Sequence, residues 1–435
     1  MLALRKALPK LNAADRATAL DLLGITAAAP CNGDTTHPYQ TVSDPEGFFE
    51  IHYTTSGPNK VTDPTYLTRV AATLDTVYDT EIAAMGYQPP LTPAVDASGW
   101  WSGGSQIPIE LCNIAPDLYG YCAAVGTSVT DAFPAACTLR NSYANQTVNG
   151  VTYAYYDPSL DGSDTDAPLK VTAAHEFFHA VQFRQDANEP LWLMEGTAVW
   201  MENEVYPAIH DYLQYLPFSG ISQPRFPFDY TGGYAGDYIP YGDFALFKTI
   251  SGYLGGPGAI KEIWNYLGRH QGVSALDALK YVAARHNRSL VSVMLTYAIW
   301  NTLPLNSYPD ARLYGPVGWW LRRTLDRGNR VLKGTRVAIY PLADAPVVIT
   351  RGSRVLSTTG LQIGVSGPRG AAGGWFTVRR QLTTGSTSVS QYQIGAKGSV
   401  VTIPFNSSVR SVVITLDNVA TSGSPTYFGV RATVL

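Results

Sequence analysis

Residues 166–206 read DAPLKVTAAHEFFHAVQFRQDANEPLWLMEGTAVWMENEVY, and both the fold and the chemistry turn on them. Asp166 is placed to cap a helix and Pro168 suits its first turn. Nothing between Leu169 and Phe183 breaks a helix, so one is expected over about 167–185. Residues four apart on a helix share a face, about 6 Å apart along the axis. The imidazoles of His175 and His179 can therefore converge on one ion. Glu176 is offset by about 100° from His175, beside such an ion and not on it, where a general base belongs. By chance, HExxH is expected in this composition on the order of 0.003 times.

A catalytic zinc ion takes three protein ligands and keeps one position open. The next expected helix, about 193–205, carries Glu195 and Glu202, seven residues apart and so on one face. Glu195 is the preferred third ligand, because Gly196 beside it lets two helices approach closely. Glu202 is then expected behind a ligand histidine, fixing its tautomer by a hydrogen bond. The alternative puts Glu202 itself on the metal. The bland alternative, two ordinary helical histidines, fits a lone His better than a pair at ligand spacing with two glutamates at hand.

HEFFHAVQF followed by WLMEGTAVWMENEVYP resembles the gluzincin clan of zinc metallopeptidases, in which a glutamate on the helix after HExxH completes the ligand set. The Glu-Gly-x-Ala pattern is similar to that of zinc aminopeptidases and bacterial collagenases. The whole segment most resembles a group of uncharacterised secreted bacterial and archaeal metallopeptidases with an EGTAVWMEDEVYP signature. The resemblance spans roughly residues 46–305 and is specific around 171–206. It implies a zincin-like catalytic domain, Zn2+ held by His175, His179 and Glu195, and hydrolysis of peptide bonds by zinc-bound water activated by Glu176. YIPYGDFALF at 238–247 resembles the aminopeptidase segment whose tyrosine stabilises the oxyanion, which implies that role for Tyr241, with Tyr238 and Tyr234 in reserve. The lysine that precedes the glycine in that family is missing here. So is the aminopeptidase GxMEN motif, which favours an endopeptidase; and Met194 stands where thermolysin has an asparagine.

Residues 47–53, 106–114 and 151–156 read as strands, and 65–85 as a helix with Leu67, Val70, Leu74, Val77 and Ile82 at helical spacing. Downstream helices are expected at about 242–254, 258–268, 274–286 and 288–301. Residues 335–435 alternate in short apolar runs between Gly, Ser and Asn turns, the pattern of an antiparallel β-sandwich. The expected class is α+β: a mainly helical domain over 46–310 with a small sheet upstream of the HExxH helix, then a β-sandwich over 311–435. Residues 1–45 are expected to hold a short helix at 12–24 and a linker from Pro30 to about Asp44, as a propeptide remnant or a docked helix.

The chain has 435 residues, 45% hydrophobic and 15% charged, with a formal net charge of −3. That composition is globular, and the net charge offers no reason to expect nucleic acid as a partner. No apolar run is long enough to span a membrane. Cys31, Cys112, Cys122 and Cys137 form no CxxC pair. An even count in one region favours two disulfides, in any of three connectivities, over four buried thiols. Disulfides and the metallopeptidase chemistry together point to secretion, although Asp15, Arg16 and Asp21 interrupt any signal peptide at this N-terminus. The acidic loop 157–166 could accept Ca2+, or be a solvated turn. No GxSxG elbow or glycosidase carboxylate pair is found. A zinc-containing binding protein without turnover, or another zinc hydrolase, remains the alternative class. Partners expected are a protein or peptide substrate and, through the C-terminal domain, a glycan or cell surface, with Trp375 as a sugar-stacking candidate.

Overall fold

The structure, a computed structural model, describes residue 31 and residues 36–93, 104–125, 131–230, 233–355 and 359–435. The helix expected at 12–24 lies outside them. The chain divides into two compact units, residues 1–214 with 257–278 and residues 215–256 with 279–435. Among the described residues the α-helices are, in chain order, α1 (Tyr66–Tyr78), α2 (Pro158–Asp161), α3 (Ala167–Gln185), α4 (Leu191–Val205), α5 (Gly233–Gly242), α6 (Phe244–Leu254), α7 (Gly258–Arg269), α8 (Ala275–Arg285) and α9 (Leu290–Asn301). None is long and apolar enough to cross a membrane.

In the first unit, β1 (Gln40–Ser43), β2 (Phe49–Tyr53), β3 (Ile107–Cys112), β4 (Gly120–Ala124) and β5 (Ala135–Arg140) form one sheet in the order β1-β2-β3-β5-β4. β2, β3 and β5 run parallel, and the two edge strands run antiparallel to their neighbours. β3 and β5 are buried at every residue, as expected of inner strands covered on both faces. Part of the expected linker is strand β1, whose residues, Val42 included, are all exposed and carry no alternation to read. Disulfides join Cys31 to Cys112 and Cys122 to Cys137, and the second links directly opposed residues of β4 and β5. A hairpin, β6 (Gln146–Val148) and β7 (Val151–Tyr153), turns at Asn149 and Gly150, both at positive φ.

α3 lies on β4 and β5, flanked by α1, α4 and α7. Of its 19 residues, 17 are buried, because its sequence has no polar stripe to turn outward. Phe177 meets Phe49 edge-on at 5.4 Å and Phe178 meets Tyr87 at 5.2 Å. Burying each such ring stabilises by roughly 1.5–3 kcal/mol. The helix expected at 65–85 is α1 followed by a π-helical turn over Asp79–Ala84. In the loop considered for calcium, Asp157 accepts from the Ser159 N–H at 2.8 Å, while Asp164 and Asp166 pair with Lys170 and Arg69.

In the second unit, β8 (Leu321–Leu325), β9 (Val331–Ile339), β10 (Ala343–Arg351), β11 (Gly360–Ser366), β12 (Gly374–Leu382), β13 (Thr387–Gln393), β14 (Ser399–Pro404), β15 (Val409–Asn418) and β16 (Thr426–Val434) form two sheets, β13-β12-β15-β10-β8 and β14-β11-β16-β9. Val347, Ile349, Phe376, Val378 and Ile414 of one sheet share a single core with Ile363, Val365, Phe428 and Val430 of the other. That is the sandwich the alternation predicts. One pairing departs from the antiparallel expectation: β8 runs parallel to β10, as a strand entering from the helical region and not through a hairpin can. The segment before residue 242, expected as loop, contains α5, with Pro240 inside it. Its glycines and proline read as loop, and tertiary context overrides them.

Candidate metal centre

α3 and α4 pack against each other, and this brings His175, His179 and Glu195 together, with one ligand atom of each within 4.8 Å of the others. Nε2 of His175 lies 3.2 Å, and Nε2 of His179 3.4 Å, from the same Glu195 oxygen, Oε2. The two rings stand at 83° to each other with centroids 4.7 Å apart. All three side chains are at most 16% exposed.

The other nitrogens are held from behind. Nδ1–H of His175 donates to Glu202 Oε1 at 2.7 Å. His179 is held by a residue that sequence reasoning missed. Its Nδ1 is 2.7 Å from Gln182 Oε1. The Gln182 amide cannot be turned round, because its Nε2 donates to the Met194 carbonyl and to Thr197 Oγ1, each at 2.9 Å. A carbonyl only accepts, and the Thr197 hydroxyl gives its own proton to the Leu193 carbonyl at 2.6 Å. The Trp264 indole N–H, from α7, donates to the same hydroxyl at 3.3 Å. Gln182 Oε1 is therefore an acceptor, His179 carries its proton on Nδ1, and its Nε2 presents a lone pair. The available signal was a glutamine three residues after His179, on a helix with almost no exposed face.

Two imidazole lone pairs aimed at a carboxylate repel unless a cation lies among them. Burial pushes the His175 imidazolium down, but hydrogen bonds to Glu195 and Glu202 outweigh it and hold it well above the ordinary histidine value. Burial opposes charge on His179 too, and Glu195 carries it upward. Burial raises the Glu195 carboxyl, yet the two histidines pull it far below the usual carboxylate range. The donor set of two imidazoles and a carboxylate, with the buried carboxylates of Glu176 and Glu202 close by, fits a dication such as zinc.

Glu176 sits on the same helix, 7% exposed. Burial raises its carboxyl, offset in part by His175, His179 and a hydrogen bond from the Cys122 backbone. Its Oε2 has no hydrogen-bond partner. β4 passes so close that a Cβ on Gly120 would lie 3.0 Å from Glu176 Cγ and 2.7 Å from Thr172 Cγ2. Tyr241 belongs to the second unit, where its ring stacks on Tyr215 at 4.9 Å. A second cluster of metal-binding residue types, Cys31, Glu110 and Cys112, has its sulfurs joined in a disulfide, so no thiolate is left for a metal. Comparison with models of known protein families and with curated proteins finds no match to this chain.

Proposed function

We propose that the protein is a zinc metallopeptidase of gluzincin type, acting on protein or peptide substrates outside the cytosol, as an endopeptidase. The observation that carries this is the pair of histidine Nε2 atoms aimed at one Glu195 oxygen, each with its Nδ1 tied from behind. His175, His179 and Glu195 would hold the ion. Zinc, when bound, supplies a Lewis acid that polarises a carbonyl and makes water acidic. Glu176, its carboxyl raised by burial and one oxygen free, takes the proton of the attacking water and passes it to the leaving amine. Glu202 and Gln182 keep the imidazoles turned toward the ion. Tyr241 is retained as the candidate oxyanion donor on resemblance alone.

A peptide suits the site for a further reason. β4 is an edge strand beside Glu176, with no strand on its outer side among the described residues. An open sheet edge pairs readily with an extended chain. The two disulfides are compatible with an oxidising, extracellular setting.

The test compares wild type with Glu176→Gln for zinc content by elemental analysis and for cleavage of denatured casein, with and without 1,10-phenanthroline. Both should carry one zinc, and chelator-sensitive cleavage should fall about 10²–10⁴-fold in the variant. A folded, metal-replete wild type without zinc, or undiminished cleavage by the variant, overturns the proposal.

A further inference from the structure

The whole-chain charge of −3 conceals a partition. Residues 321–435 contain 14 Lys and Arg against three Asp and no Glu, a formal charge of +11, which leaves −14 on residues 1–320. Two of the three aspartates, Asp344 and Asp417, are 6% and 2% exposed, so the sandwich surface carries almost no negative charge. Such asymmetry marks a polyanion-binding surface.

The geometry points to one place on it. The outer face of the β14-β11-β16-β9 sheet holds a groove of about 390 Å³, with Arg336, Lys397 and Arg431 in its lining and no acidic residue. All three cations are exposed. The floor is glycine. Gly364 stands directly across from Arg431, and a Cβ there would lie 2.6 Å from Arg431 Nε. The missing side chain thus lets the guanidinium stem lie flat over the sheet. Arg336 lies against the ring of Tyr427 at 5.0 Å, and that ring is 63% exposed.

We propose that this face binds an acidic polysaccharide, its carboxylate or sulfate groups on Arg336, Lys397 and Arg431 and a sugar ring on Tyr427. A single-stranded nucleic acid wants a row of stacking platforms, and these strands turn one aromatic to this face. A membrane surface wants an apolar wedge, and in the groove lining Val400, 57% exposed, is the one exposed apolar side chain. Outside the cell, where disulfides persist, acidic polysaccharides are the polyanions that combine dense charge with a sugar face. Trp375, the aromatic singled out from sequence, is half-buried on the other sheet, opposite Asp417.

The test passes the full-length protein over polygalacturonate, heparin and neutral dextran beads at fixed salt, alongside DNA-cellulose and phosphatidylserine vesicles. Wild type should be retained on the two acidic polysaccharides and not on dextran. The triple variant R336A/K397A/R431A should lose retention about tenfold. R322A/R323A/R327A, which removes the same charge from exposed positions elsewhere in 321–435, should lose far less. Equal loss in the two triple variants, or stronger retention on DNA or vesicles than on either polysaccharide, overturns the proposal.

Discussion

Two places in the molecule bury carboxylates close together, and they solve the problem differently. Around α3, Glu195 and Glu202 share the space with two imidazoles whose second nitrogens are fixed from behind. On the sandwich, Asp344 and Asp417 are directly opposed on β10 and β15, facing away from the shared core. Like charges so placed destabilise a sheet, and Asp344 Oδ1 and both Asp417 oxygens lack a well-formed hydrogen bond. Burial, joined at Asp417 by the charge of Asp344, pushes both carboxyls well above their ordinary range. The first cluster has the residue types and spacing that could hold a metal ion; in the second, burial favours the protonated carboxyls. Histidines at ligand spacing with anchored backs make the difference, since acidic residues alone occur in both.

The largest expected effect tests whether the sandwich stands on packing and not on an ion. Phe376, fully buried in its core, should cost about 3–5 kcal/mol when replaced by Ala, equally with and without zinc in chemical denaturation. A sandwich transition that chelator alone moved as far would break the contrast. Next, Gln182→Leu should weaken zinc binding about 10–100-fold in competition with a chromophoric chelator, with the fold intact by circular dichroism. Unchanged affinity would mean that the anchored back of His179 is ornament. The smallest effect concerns protons. A carboxyl raised in the folded state gives stability that is full below its unfolded value of about 3.9 and is lost as pH rises toward the folded value. Asp417→Asn should therefore raise the melting temperature at pH 7, by about 1 kcal/mol or more in stability, and leave it nearly unchanged near pH 3.5. A stabilisation that did not depend on pH would remove Asp417 from the proton-keeping class.

The convergence of His175, His179 and Glu195 was legible in the sequence because a helix fixes what residues four and seven apart can do. The sandwich was legible because its two inner faces alternate. Gln182, Thr197 and Trp264 were not, since each acquires its part only when α3, α4 and α7 meet, and no local spacing encodes that meeting. β1 was lost for want of alternation in QTVS, and α5 because Pro240 and its glycines imitate a loop. The basic face of the sandwich was hidden by averaging charge over the whole chain.

Gly120 has a use as a gauge block. Its absent Cβ sets how near the backbone of β4 comes to α3, and hence the width between Glu176 and anything laid along that edge. Even the smallest side chain at that one residue would have to push Thr172 and Glu176 aside or move the strand itself. Under the proposed function, that strand is where the admission of substrate chains would be retuned.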